Sequence, residues 1–262
     1  MHQDGHSPNY DFVIDTAVGL AGTGQGARKI LDFGCGRGTL IGIGLKRAPA
    51  ADFYGADTFD GIYANWREKL PEALRGRIGR IEEGRIPFPD GTFDVVVSNQ
   101  VFEHIREPAR SVAEIVRVLK PGGAFLALFP TADAWFEGHV GIYFAHLLRA
   151  PELQRRYLHL LRSMGFGYYK GKRGIAEWAA HMSGVLQNSC FYHRKRDVDR
   201  WWREAFGGPP ASLAVDYMRY RLQVHPRLRP LAALCEFPPA RPLVSFACHK
   251  RAGRVMLVRK PA

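Results

Sequence analysis

The run ILDFGCGRGTL, residues 30–40, places Gly34, Gly36 and Gly38 at alternate positions directly behind a short apolar segment. Glycines let a backbone approach a ligand and adopt angles that other residues avoid. A strand turning straight into a helix also aims the first helical amides, and the positive end of the dipole, at whatever sits above the strand tip. Asp57 closes a second apolar run, DFYGAD, about 20 residues after the turn, where a carboxylate can accept hydrogen bonds from both hydroxyls of a ribose. Glu82 and Glu83 follow a third run, where an acid can accept from an adenine amino group. Asn99 ends a fourth. The glycine turn alone leaves a dinucleotide, a phosphate and a nucleoside cofactor open.

These residues need strand tips to stand on, and the first half of the chain supplies them. Strands are expected at 29–33, 52–57, 77–82, 93–99 and 124–129, with helices at 11–21, 39–47, 62–74 and 108–119 between them. The unbroken valines of FDVVVSN fit a strand buried on both faces. The pattern then changes. Residues 131–208 are aromatic, basic and helical in texture with no obvious strand, and helices follow at 197–206 and 212–224. LVSFACHKRAGRVMLVRK, residues 243–260, reads as two strands around a short turn. Alternating strands and helices define an α/β fold with a parallel sheet.

Four stretches, ILDFGCGRGTL, FYGAD, IPFPDGTFDVVVSNQVFEHI and EIVRVLKPGGAFLALFP, resemble in order and spacing the motifs of class I S-adenosylmethionine-dependent methyltransferases. The likeness is to the small-molecule group of that family. It implies a Rossmann-like, seven-stranded, mostly parallel sheet with an antiparallel C-terminal strand, helices on both faces and a helical insertion after the fifth strand. One domain, 1–262, would then comprise a cofactor-binding core at 28–130, a substrate insertion at about 131–240 and terminal strands at 243–260. The implied cofactor is S-adenosyl-L-methionine. Asp32, Gly34, Cys35, Gly36 and Gly38 fall in the motif that cradles its methionine part, and Asp57 matches the acid on its ribose. Glu82 or Glu83 falls at the adenine, Asn99 beside the methionine moiety, and His104 matches a histidine frequent in the group.

The acceptor is expected beyond the fifth strand, in PTADAWFEGHVGIYFAHLLRAPEL, residues 130–153. Trp135, Glu137 and Tyr143 are candidate substrate residues. His139 is the first choice for a general base, since an imidazole takes a proton near neutral pH, with His146 in reserve on the same helical face if the segment is one helix. Methyl transfer from a sulfonium can also run on positioning alone, and no metal site is expected. The four cysteines, at 35, 190, 235 and 248, show no close pairing, which argues against a zinc site and for a reducing compartment, the cytoplasm. The polar start MHQDGHSPNY gives no expectation of a secretory signal, and no apolar run reaches the roughly 18 residues of a membrane span.

The net charge of +12 lies wholly in the second half. A field of that sign concentrates anionic partners. An anionic small-molecule acceptor is the first expectation. No RNA-binding module accompanies the basic residues, so nucleic acid ranks lower, and an amphipathic contact with a membrane surface is a further reading. No obligate protein partner is evident. The alternatives to small-molecule methylation are transfer to RNA or protein by way of the basic half, and cofactor binding without turnover.

Overall fold

The structure, a computed structural model, describes residues 7–22 and 28–262, and the side chains of all of these except Ile62 and Tyr63. The first six residues of the polar start thus lie outside the described residues. Helix α1 (Pro8–Ala21) leads in, with Ser7 capping it through a bond from the Asn9 amide. Then follow β1 (Arg28–Phe33), α2 (Thr39–Arg47), β2 (Ala51–Asp57), α3 (Glu72–Arg75), β3 (Ile78–Arg80), β4 (Phe93–Asn99), α4 (Pro108–Val118) and β5 (Leu119–Phe129). The helix expected over 62–74 divides into a 3₁₀ turn, Gly61–Trp66, and the short α3. Pro71 separates them, because its ring cannot continue a helix.

Beyond β5 come two short strands, β6 (Phe136–Glu137) and β7 (Ile142–Tyr143), then α5 (Pro151–Ser163), α6 (Ile175–Asn188) and α7 (Lys195–Phe206). The chain ends with β8 (Ala211–Ser212), α8 (Ala214–Gln223), α9 (Ala233–Glu236), α10 (Arg241–Ala252) and β9 (Arg254–Arg259). The main sheet has seven strands in the order β3-β2-β1-β4-β5-β9-β8, parallel from β3 to β5 and antiparallel where β9 meets β5. The order reverses between β1 and β4, the switch point above which open α/β sheets bind ligands.

Two expectations need correction. The terminal hairpin over 243–260 is instead a helix and a single strand. Pro242 near the N-terminus of α10 and His249, Lys250 and Arg251 in its last turn suit a helix. Gly253 ends it at φ +88, with any Cβ falling 2.3 Å from the Phe129 carbonyl oxygen. The sixth strand is β8, two residues long, too short to leave a period-2 signature. Within 131–208, moreover, β6 and β7 form a hairpin of their own.

Layers on both faces bury the sheet. On one, α1, α8 and α10 cover Ile30, Val95, Val97 and Leu126 with Phe12, Ala214, Tyr217 and Cys248. On the other, α4 and α7 cover Leu31, Val96, Phe125 and Ala127. Val112, Ile115 and Val118 supply one helical stripe and Val198, Trp202 and Phe206 the other. Trp202 is fully buried against Phe125 and Phe102, at centroid distances of 4.7 and 5.5 Å. So α7 and α8, inside the segment expected as insertion, belong to the layers of the sheet. A separate apolar cluster, with Val140, Ile142, Leu158, Trp178, Met182 and Leu186, joins the β6–β7 hairpin to α5 and α6.

Candidate functional site

The glycine turn leaves β1 at the switch point. The amides of Gly34 and Cys35 donate to the Ala56 carbonyl, and the Gly36 amide donates to Asp57 Oδ2 at 2.8 Å, so the loop is tied to β2. The Phe59 amide donates to the other oxygen, Oδ1, at 2.9 Å. Each Asp57 oxygen therefore takes one backbone amide and keeps accepting capacity. Gly36 sits at φ +52, where an added Cβ would lie 2.6 Å from the Trp66 ring. One on Gly34 would lie 2.4 Å from Val101. Asn99, at the tip of β4, has a buried Oδ1 without a partner. Asp32 is buried beneath the loop, where burial, then the Asp57 charge, pushes its carboxyl up to about 8. Cys35 is also buried; its sulfur lies where a Cβ on Gly55 would fall, so its thiol does not face a ligand, and burial pushes it well up. Glu82 and Glu83 are exposed at the turn after β3.

His104 is not part of this loop. It lies three residues past Val101, and its ring joins a second group of residues brought from remote segments. The Ser189 carbonyl accepts from His104 Nδ1 at 2.5 Å, the Phe191 amide donates to the Glu103 carbonyl at 2.5 Å, and the Ile105 carbonyl meets His193 Nε2 at 2.8 Å. These bonds clip the segment after α6 onto residues 103–105.

His139 occupies the turn of the β6–β7 hairpin. Its Nδ1 lies 2.7 Å from Glu137 Oε1 and its Nε2 lies 3.2 Å from His104 Nε2. Glu137, fully buried at its side chain, also accepts from the Tyr192 hydroxyl and, at 2.7 Å, from the Val140 amide. Burial alone would raise the Glu137 carboxyl, but the His139 ring, Tyr192 and Val140 hold it below its usual range. Burial would likewise depress His139, yet the Cys190 sulfur and the Glu137 carboxylate hold it up at about 11. Glu103 is wholly buried with both carboxyl oxygens unpartnered, and burial pushes it up to about 8.

His139 and His146 do not share a helical face. The first sits in a hairpin turn and the second in a 3₁₀ turn, with its ring 4.7 Å from that of Tyr192. Both His146 nitrogens are buried without a well-formed hydrogen bond; burial, the largest effect, holds its pKa down, against the Glu137 charge and the nearby Ala134 and Ala132 backbones. Trp135 packs against Phe144, Phe246 and Lys250. Tyr143 is exposed beside Phe136. The structure therefore brings Glu137, His139 and His104 together and leaves Trp135 and Tyr143 outside that group. Glu103, Cys190 and Tyr192 were not singled out from sequence. The one available signal was the mixture of aromatic and basic residues in FYHRKRDVDRWW.

A cavity of ≈1270 Å³ opens beside this group, above the tip of β5 and the start of β9. His146, Cys190 and Tyr192 reach it from one side and Arg254 and Lys250 from the other. Asp199 pairs with Lys195 at 2.9 Å and with Arg254. Arg149, Arg194 and Arg203 also line it, and among the described residues none of the three has a carboxylate partner.

Residues 31–127 match the family model described as a methyltransferase domain. A probable S-adenosylmethionine-dependent methyltransferase of Mycolicibacterium smegmatis is 34% identical over 198 residues, 72% of this chain and 72% of that one. A demethylmenaquinone methyltransferase of Thermus thermophilus is 33% identical over 146 residues, 55% of this chain and 63% of that one. Among solved structures, Haemonchus contortus phosphoethanolamine N-methyltransferase 2 with S-adenosyl-L-methionine superposes with a TM-score of 0.50 at 14% identity. It covers 95% of this chain and 52% of that one, and the likeness is one of fold. The chain belongs to the S-adenosylmethionine-dependent methyltransferases, and its cofactor is S-adenosylmethionine. The glycine loop, in which side chains on residues 34 and 36 would have no room, and the orphaned Asn99 oxygen fit that cofactor. No helix among the described residues is long and apolar enough to cross a membrane.

Proposed function

We propose that the protein methylates a small molecule carrying an anionic group, seated in the basic cavity above β5 and β9. The observation that carries this reading is the set of unpaired guanidiniums, Arg149, Arg194 and Arg203, around a concave space at the carboxyl end of the sheet. Guanidinium forks match carboxylate and phosphate oxygens. A concave space suits a small acceptor better than a polymer. Relatives named as demethylmenaquinone methyltransferases support a small-molecule acceptor, without bearing on its charge.

S-adenosylmethionine supplies an electrophilic methyl group on a sulfonium. The residues that would hold it are the backbone from Gly34 to Gly38 and Asn99 at the methionine part, Asp57 at the ribose, and Glu82 or Glu83 at the adenine. Asp32 supports the loop from below, and His104, at the far end of the turn from Val101, lies on the acceptor side. The chain's own work is to align the acceptor and exclude water, which can supply much of the rate.

Where the acceptor must lose a proton, His146 is the base the geometry favours. It lines the cavity with only the Ala132 and Ala134 backbones near its nitrogens, whereas both nitrogens of His139 are taken by side chains. Glu137 then orients His139 rather than touching substrate. Trp135 and Tyr143 have no part in this reading.

Incubating the protein with methyl-labelled cofactor and separate small-molecule, RNA and protein fractions of a cell extract tests the proposal. Label is expected in anionic small molecules, with uptake reduced by Arg194→Ala and Arg203→Ala. Label confined to RNA or protein overturns it.

A further inference from the structure

One nitrogen each from His104 and His139 and the Cys190 sulfur lie within 4.8 Å of one another, on three segments remote in sequence. The ring–ring contact is the informative one. The Ser189 carbonyl can only accept, so His104 Nδ1 carries hydrogen. His139 Nδ1 faces the Glu137 carboxylate, again an acceptor. With both Nδ1 atoms donating, the two Nε2 atoms face each other across 3.2 Å, a gap that the proton of a charged His139 bridges and that a metal ion can bridge in its place.

Three features favour the metal. The nitrogen–nitrogen separation matches the edge of ~3.3 Å that a tetrahedral ion with bonds of about 2.0–2.1 Å to nitrogen requires. A carbonyl behind one imidazole and a carboxylate behind the other are the outer partners that orient metal-bound histidines. A free, buried thiol, Cys190, offers a third ligand of a type that suits zinc; its sulfur lies 4.0 Å from His139 Nδ1 and has to swing toward Nε2 to join the ion. Nearby Glu103 adds a buried carboxyl with neither oxygen partnered, a group that gains from a neighbouring cation.

We infer that His104, His139 and Cys190 form a zinc site with one open position. Cys190 also lines the basic cavity, which sets the proposed site at the edge of the space assigned above to the acceptor. Zinc binding does not depend on that assignment. Its use does: resting on the proposed function, the ion would take an oxygen, nitrogen or sulfur of the acceptor as fourth ligand and ease loss of its proton to His146. Cysteine spacing could not reveal such a site, because a single cysteine contributes and the histidines come from other elements.

Cobalt(II) titration of the full-length protein, followed by displacement with zinc, reads the site directly. The wild type is expected to bind one equivalent, with a thiolate-to-cobalt charge-transfer band and the intense visible bands of a tetrahedral ion. Cys190→Ser should lose the charge-transfer band. Glu137→Gln should keep it while zinc affinity falls about 10–100-fold. S-adenosylhomocysteine binding by calorimetry serves as the folding control, and its failure would count against the methyltransferase site rather than the metal. If Cys190→Ser does not fold, the wild-type spectrum still decides. A saturated wild type without a thiolate band, the outcome for rings that share only a proton, overturns the inference, as does a band that survives Cys190→Ser.

Discussion

Asp32 and Asp57 are both acids at strand tips, yet burial separates their behaviour. Asp57 is half-buried and bonded to two amides, whereas burial, then the Asp57 charge, lifts the Asp32 carboxyl from an ordinary value of 3.8 to about 8. Between those values Asp32 holds a proton when folded and not when unfolded. Stability therefore falls as pH rises through this window, at a limiting slope of ~1.4 kcal/mol per pH unit, and levels off above it. Asp32→Asn should flatten that decline, so urea unfolding of the cofactor-free protein at pH 5 and pH 9 should find the variant favoured increasingly at the higher pH. An identical pH dependence in both proteins would show that Asp32 is ionised in the folded state. At the acceptor side, His146→Gln should lower kcat by about 10²–10⁴-fold if His146 is the base, while calorimetry finds cofactor affinity unchanged. Equal losses in both would remove it from that role. The positions at the glycine turn and at Asp57 were legible because strand tips carry them. The fates of His139 and His146 were not, since these depend on a two-strand hairpin whose elements are shorter than any periodicity.

Among the elements, β1, α2, β2, β4 and α4 were legible nearly to the residue from their apolar runs, with Gly34 after β1, Gly38 before α2 and Pro108 opening α4. The terminal pair was not. LVSFAC alternates enough to pass for a strand, and only Pro242, the basic last turn and Gly253 argue for the helix it forms. Helix α7 shows the same limit differently. Its stripe was recognisable, but which surface it covers was not. It covers the sheet through Trp202, fully buried against Phe125 and Phe102. Trp202→Ala should cost about 3–5 kcal/mol in chemical denaturation. A loss under 1 kcal/mol would mean that the helix is not anchored there. Because Lys195, Arg200 and Arg203 on the same helix line the cavity, acceptor affinity should suffer with stability.

At the scale of the whole molecule, charge is divided: the excess of positive residues belongs to the half that lines the cavity. Attraction between this surface and an anionic acceptor is screened over a Debye length of about 8 Å at physiological salt. Raising ionic strength should therefore raise the acceptor KM while leaving cofactor affinity nearly constant, as paired titrations would register. A KM indifferent to salt would mean that the guanidiniums do not meet the substrate. The asymmetry was countable in the sequence, but its convergence on one concavity was not, since Arg149, Arg203 and Arg254 come from separate elements.

The pairing of β9 with β5 joins Phe129 to Arg254 across nearly half the chain. Until that zipper closes, the wall that β9 and α10 give the acceptor chamber has nothing to lean on, and β1, which carries the glycine turn, lacks the cover that α8 and α10 lay over Ile30. The cradle of the nucleoside and the chamber of the molecule to be modified thus wait on the same late, long-range contact, which slows folding and keeps either from forming without the other.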